Sequence, residues 1–372
     1  MMNGKHNVWI VKLNPSGGLL TKKEYEKWRN HNDLELKTGL DEAFDKEEMN
    51  KYGGWYRDGK ITEKCKEKNI IAIGWILNPE DTWLNNTDTE INKEKYKELY
   101  KNTPWPVENK KNKEKLNPSI EKFQELNVGD FVWVRDSSDI YYVCKITGNW
   151  SYDKSKEAWA MDIAQRYKCD WVKVGNATEA PAKIVKKLIT RGQTVSKVDD
   201  ENLLKISNYL FENGGEKAVK KAVTDFDEGG RYILDNNIKI IDNLTEYDYE
   251  DFVGFYLQSN GYFIMPSTRH QSTKDYEFVA IKQNENMVVQ AKYHDTSSKK
   301  LDADEEKYKD LSKTYTVYLA CNNGVENIDK IDNNRIKQVE NSELEKFIRE
   351  NAFLIPDRIK FLVVYKKNHP EV

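Results

Sequence analysis

The chain has 372 residues, 33% of them charged, with 59 Lys and Arg against 62 Asp and Glu and a formal net charge of −3. That near-balance excludes a polybasic nucleic-acid wrapper, and a mean hydropathy of −0.84 excludes an integral membrane protein. At about 150 residues per domain the length predicts two domains and a connector, with 12% aromatic residues compensating a low 38% hydrophobic fraction. Cys65, Cys144, Cys169 and Cys321 stand far apart without CxxC spacing, so neither a disulfide framework nor a structural zinc site is expected. The opening MMNGKHNVWIVKL holds only a short apolar run without signal architecture, which points to a cytoplasmic location.

In chain order, VWIVKL (8–13) and IIAIGWI (70–76) read as buried strands, being β-branched or aromatic runs bounded by Gly, Pro and Asn. Residues 21–51 are charged with weak helical spacing, and 92–117 is a Lys-rich helix and loop. VGDFVWVRD (128–136) and YYVCKITGNW (141–150) form a hairpin across a Ser-Ser-Asp turn, and CDWVKVG (169–175) adds another strand. This density of strands predicts a small mixed β barrel over 1–198. Residues 199–243 turn helical and read as a connector, with Gly-Gly at 214–215 and 229–230 as hinges. The third block, 244–372, opens with the helix TEYDYEDFVGFYLQSNGY, whose apolar stripe is Tyr249, Phe252, Val253, Tyr256 and Leu257 and whose cap is Gly261. Strands YEFVAIK (276–282) and MVVQAKYH (287–294), a charged helix at 302–311, the strand TYTVYLAC, a helix near SELEKFIREN and a last strand RIKFLVVYK complete an α/β layer on a mixed sheet. The fold class expected is therefore α+β.

The chemistry concentrates in the third block. Alternate strand residues share a face, so Gln290 and Lys292 point one way, while Asp275 and Glu277 share a face of the partner strand. A carboxylate, a carboxamide and an ammonium can thus converge, a set suited to holding a divalent cation and acting on a scissile phosphate. The alternative is a solvated hairpin with polar residues outward, but Gln290 and Lys292 interrupt the buried run VVQAKY, where a lysine is costly unless paired or functional. Glu250 borders the apolar stripe of the helix. His270 and His294 flank this region and read as ordinary polar residues near strand ends. No Walker loop, GxGxxG or GxSxG occurs, which argues against an NTPase motor, a dinucleotide enzyme or a serine hydrolase.

Glu250 on a helix ending in Gly261-Tyr262, an acid before EFVA, and then VVQAK resemble the Mrr-like branch of the PD-(D/E)xK nucleases over roughly 240–372. The resemblance implies that Gln290 and Lys292 are the Q-x-K pair and Glu250 the helix glutamate. The metal acid is Glu277 by register, with Asp275 as the rival, and the family's Gly-rich stretch before it is replaced here by STRHQSTKDY. Mg²⁺ or Mn²⁺, held by Glu277 or Asp275 with Gln290, is the implied cofactor, and a homodimer the implied assembly, since cutting both strands needs two sites.

The strands VWIVKL, KNIIAIGW, VGDFVWVRD, YYVCKITGNWSYD and DWVKV resemble the EVE and other PUA-like domains found ahead of Mrr-like nucleases. Such domains hold an unstacked, often modified base in an aromatic pocket, for which Trp75, Trp150, Tyr152 and Trp133 are candidates; for each single tryptophan core packing is the stronger reading, and Trp133 alternates with Phe131 as a core residue would. Lys186, Lys187 and Arg191 lie in a stretch, 170–198, whose local charge is positive and which suits a phosphate backbone. The combined expectation is a modification-dependent (type IV-like) DNA endonuclease of a restriction or anti-phage system, with possible defence partners and no membrane contact. The alternatives are an RNA-directed nuclease and a non-catalytic nucleic-acid sensor with a decayed nuclease fold.

Overall fold

A computed structural model describes residues 6–13, 61–75, 77, 90–101, 116–155, 157–158, 161–190, 192–235, 239–265, 276–283, 285–294, 299–330 and 334–369. Asp275, Arg191 and His270 lie outside the described residues, as do the charged stretch 21–51 and the 110–115 loop. The chain is mixed α+β and divides into two compact units, Met1–Val219 and Lys220–Val372.

In the first unit the elements run β1 (Val8–Val11), α1 (Ile61–Glu67), β2 (Ile70–Ile73), α2 (Lys93–Tyr100), α3 (Pro118–Gln124), β3 (Phe131–Arg135), β4 (Tyr141–Ile146), β5 (Ser151–Tyr152), β6 (Gln165–Gly175), α4 (Ala182–Ile189), β7 (Val195–Val198) and α5 (Glu201–Glu212). The order β2-β6-β4-β3-β1-β7, with β5 on β6, is a curled half-barrel, the coarse form of the small mixed barrel expected, with β2 and β7 as its edges among the described residues. Among the described residues of this sheet β1 and β3 alone pair in parallel; that pairing is fixed at its base by buried Asp130, which accepts from Trp9 Nε1 at 2.9 Å and from the main-chain N–H of Asn7 at 2.9 Å. A buried carboxylate so bonded is satisfied, and the indole it holds becomes a core wall.

The stretch expected to be a connector divides between the units. Helix α5 is core: Trp133 Nε1 donates to Ser207 Oγ at 2.9 Å, and Phe131 meets Phe211 edge-on at 5.9 Å. Gly215 has φ +50°, and a Cβ there would stand 2.2 Å from the Lys173 carbonyl, so this glycine serves close approach to β6. Gly229 and Gly230 make no break; they lie inside the continuous helix α6 (Glu216–Asp235).

The second unit continues with α7 (Glu246–Ser259), β8 (Phe263–Met265), β9 (Phe278–Lys282), β10 (Glu285–Lys292), β11 (Leu301–Asp302), α8 (Glu306–Ser312), β12 (Thr316–Cys321), β13 (Val325–Glu326), β14 (Ile336–Gln338), α9 (Asn341–Glu350) and α10 (Asp357–Asn368). Its sheet has the order β14-β12-β10-β9-β8, antiparallel on the β8 side and parallel from β10 to β14. The expected last strand RIKFLVVYK is instead helix α10. Pro356 and Asp357 supply a helix start, and Ile359, Phe361, Val363, Val364 and Tyr365 are all buried, which a run of this length permits in either secondary structure. The parallel edge position belongs to β14, a three-residue strand whose polar sequence IKQ carries no strand signal.

Candidate functional site

The antiparallel register of β9 and β10 pairs Phe278 with Val289, and Glu277 extends that ladder by donating its N–H to the Val289 carbonyl at 2.7 Å. Glu277 therefore stands across from Gln290. Its Oε1 accepts from Gln290 Nε2 at 2.7 Å and from Lys292 Nζ. Gln290 is buried while Glu277 and Lys292 are half-buried, so the cluster lies at the sheet's margin with water in reach. Glu250 is half-buried on α7, the helix that packs against β10. Among the described residues no group of three or more His, Cys, Asp or Glu is assembled that could hold a metal ion. The amide nitrogen of Gln290 is spent on Glu277, which leaves its carbonyl oxygen beside a carboxylate, and such hard oxygen donors suit Mg²⁺ or Mn²⁺.

A network that sequence reasoning misses fixes the end of β10. Asn322 Oδ1 accepts from the His294 N–H at 2.9 Å while Asn322 Nδ2 donates to the His294 carbonyl at 3.2 Å, so a side chain prolongs the β10–β12 ladder past Lys292. Asn341 Nδ2 donates to the carbonyls of Cys321 and Asn322 at 2.8 and 2.9 Å, and its Oδ1 accepts from Tyr249 Oη at 3.1 Å. Of the histidine expected near the site, then, it is the main chain of His294 that the structure uses. Asparagines in loops after strands give no signal because their partners are main-chain atoms distant in sequence.

In the first unit the four aromatic candidates separate. Trp133 is fully buried under α5 and bonded to Ser207, so it is core and has no face for a base; its alternation with Phe131 is the signal that points there. Tyr152 is buried, with its Oη accepting from the Leu77 N–H at 2.8 Å and its ring 5.6 Å from that of Tyr96. Trp75 and Trp150 are half-buried and pack on the same core, Trp150 edge-on to Tyr96 at 6.0 Å. Tyr96 carries no sequence signal. Its Oη donates to the Trp75 carbonyl at 2.7 Å and accepts from Gln165 Nε2 at 3.0 Å, and burial holds its phenol well above the ordinary range.

Asp162 is equally silent in the sequence. Both it and Trp75 occupy left-handed backbone, φ +55° and +59°, a conformation costing a non-glycine residue on the order of 1 kcal/mol. Its carboxylate oxygens lie 2.1 Å from where a Cβ on Gly74 would stand, so only glycine admits them, and the Trp75 main-chain N–H donates to it. Desolvation pushes this carboxyl up to about 6, against a smaller downward pull from the Trp75 hydrogen bond. A carboxyl raised in the folded state stabilises fully below its unfolded pKa, and that contribution is lost as pH rises through about 6. Asp162→Asn is thus expected to raise stability at pH 8 by up to about 3 kcal/mol and to change it little at pH 3.5, as denaturant unfolding at the two pH values will read.

Three of the six cations in the positive stretch 170–198 are paired with acids. Lys173 pairs with Glu216 at 3.0 Å, Lys183 with Asp200 at 2.7 Å and Lys197 with Asp199 at 3.5 Å, while Lys186 is exposed and Lys187 half-buried on α4. Parallel pairing of β1 and β3 brings Lys12 beside Arg135, and Lys187 joins them; burial first, then these two cations, lowers the Lys12 pKa. Were a nucleic acid to lie along this stretch, replacing Lys186 and Lys187 by Ala would weaken its binding uniformly across sequences and reduce the slope of log K against log salt by about 1 for each phosphate left without its cation.

A family model described as Domain of unknown function (DUF8426) matches residues 51–198, which takes in β2 to β7 and thus Trp75, Tyr96, Trp150 and Asp162. No curated protein and no solved structure matches the chain. Among the described residues no helix is long and apolar enough to cross a membrane.

Proposed function

We propose that the chain is a two-module nuclease: the first unit binds a nucleic-acid feature, a modified DNA base, and the second hydrolyses phosphodiester bonds with Mg²⁺ or Mn²⁺. This is the activity of a modification-dependent restriction or anti-phage protein. The observation that carries the reading is the meeting of Gln290 and Lys292 on one oxygen of Glu277, at the margin of a mixed sheet covered by α7. A salt bridge placed only for stability has no need of a buried carboxamide on the same oxygen.

Glu277, or its rival Asp275, and the Gln290 carbonyl would hold the cation, with Glu250 supporting the metal or the lysine. A bound divalent cation neutralises phosphate charge and acidifies water. Lys292, half-exposed and already turned to the carboxylate, positions the attacking water and offsets charge gathering on the phosphate. Duplex cleavage calls for two such sites and hence a homodimer through the second unit.

The test is incubation of the full chain with plasmid DNA carrying modified or unmodified cytosine and adenine, and with RNA, in Mg²⁺ or EDTA. Metal-dependent cutting of modified DNA is the expected result. Cutting of RNA alone would transfer the site to an RNA-directed nuclease, and binding of modified DNA with no cutting in Mg²⁺ or Mn²⁺ would leave a sensor.

A further inference from the structure

The first unit holds a half-buried acid, Asp162, whose charge is penalised by desolvation. Asp162 is paired with no basic side chain among the described residues; its one described hydrogen bond is from the Trp75 main chain. Two left-handed non-glycine residues and an obligatory Gly74 are spent to place it there. Strain of this kind persists where the surrounding structure has a use for it. Close by, the Trp150 indole N–H is buried and has no hydrogen-bond partner among the described residues. Tyr96 links the two, lying edge-on to Trp150 and donating to the carbonyl of Trp75, whose own N–H bonds Asp162. One acceptor and one donor, both under-used, therefore share an aromatic cluster in which Trp75 and Trp150 are only half-buried.

We propose that Asp162 is the base-edge contact of this unit: its carboxylate accepts from the exocyclic amino group of an unstacked nucleobase held against Trp75 and Trp150, and the Trp150 indole N–H supplies the matching donor. An amino-bearing base is favoured over thymine or uracil on electrostatic grounds. The N3–H of thymine or uracil lies between two carbonyl oxygens, and a carboxylate repels both, whereas an amino group has at least one side free of a carbonyl. Aromatic faces stack on any base, so stacking gives affinity and the carboxylate gives the choice. This inference rests on the first unit being a nucleic-acid reader, and it names which bases that reader takes.

The experiment uses the full chain in EDTA and fluorescent DNA duplexes carrying one cytosine, adenine, guanine or thymine opposite an abasic position, so that extrusion costs little. At least one amino-bearing base is expected to bind tenfold or more tighter than thymine. Asp162→Asn should erase that preference while raising the melting temperature at pH 8, a combination that a merely structural role would not give. Equal binding of thymine, or an unchanged preference in Asp162→Asn, overturns the assignment of Asp162. If Trp75→Ala and Trp150→Ala then still weaken binding, the reader survives without it. Binding of no duplex by the wild-type chain overturns this inference, while the reader itself then stands or falls on binding of DNA carrying modified bases. The same bases in RNA strands, bound more tightly than in DNA, would keep the edge contact and move the source to RNA.

Discussion

Lys292→Ala is expected to lower the single-turnover rate of metal-dependent DNA cleavage by about 10²–10³-fold, the cost of removing one positioned charge donor from a reacting centre. Lys292 ends β10 and its ammonium is partly in water, so truncation leaves the hairpin register untouched and stability nearly so. Glu277 keeps its Gln290 hydrogen bond, so the variant separates the missing charge from a collapsed site. Affinity for DNA in EDTA should stay at the wild-type level, because the residues proposed to read the base, Trp75 and Trp150, lie in the other unit. Lys292→Arg should recover little, since a planar guanidinium does not reproduce a compact ammonium at this position. A rate within threefold of wild type, in a variant with an unchanged melting curve, would remove Lys292 from the active site.

Asp248→Ala is expected to destabilise the second unit by about 3–5 kcal/mol, the range for stranding one partner of a buried ion pair. Asp248 serves twice. One carboxylate oxygen closes a capping box, accepting from the Thr245 N–H at 3.1 Å and from its hydroxyl at 2.8 Å, while Thr245 Oγ1 accepts from the Asp248 N–H. The other oxygen accepts from Arg358 of α10. Truncation frees the start of α7 and leaves a guanidinium enclosed, and the helix that loosens is the one carrying Tyr249 and Glu250. Urea unfolding monitored by helix content and by the exchange protection of the α7 amides will measure the destabilisation, because all ten tryptophans precede this unit, with Arg358→Ala and the double variant completing a cycle. A cycle that returns no coupling would assign α7 docking to its apolar stripe alone.

How much of this is legible in the sequence follows from where each signal lies. The hairpins β3–β4 and β9–β10 are readable because strand, turn and strand are contiguous, and the face shared by Gln290 and Lys292 follows from alternation alone. Glu277 can be named for the same reason: it stands a fixed number of residues from the turn. Helix α10 reads wrongly as a strand because a short apolar run such as FLVVY satisfies strand and helix alike, and only the Pro356-Asp357 start decides between them. The connector reads as free because its amphipathic face shows in sequence but the partner of that face does not; Trp133 and Ser207 are 74 positions apart. Asp162, Tyr96, Asn322 and Asn341 belong to the same class. Each is an ordinary polar or aromatic residue whose importance arises from a neighbour brought in by the sheet, and no local pattern announces it.

The hairpin turn between β9 and β10 has a consequence of its own. Lys282 pairs with Glu285 across a loop in which Gln283 takes φ +50°, the backbone that a tight two-residue connection requires. Everything beyond it alternates, so removing a single loop residue would bring Val289 and Ala291 to the Glu277 face and bury the amide and the ammonium on the other side. The meeting of Glu277, Gln290 and Lys292 thus has a reading frame. It is set at the far end of the hairpin from these three side chains, and its length is as necessary to their meeting as the side chains themselves.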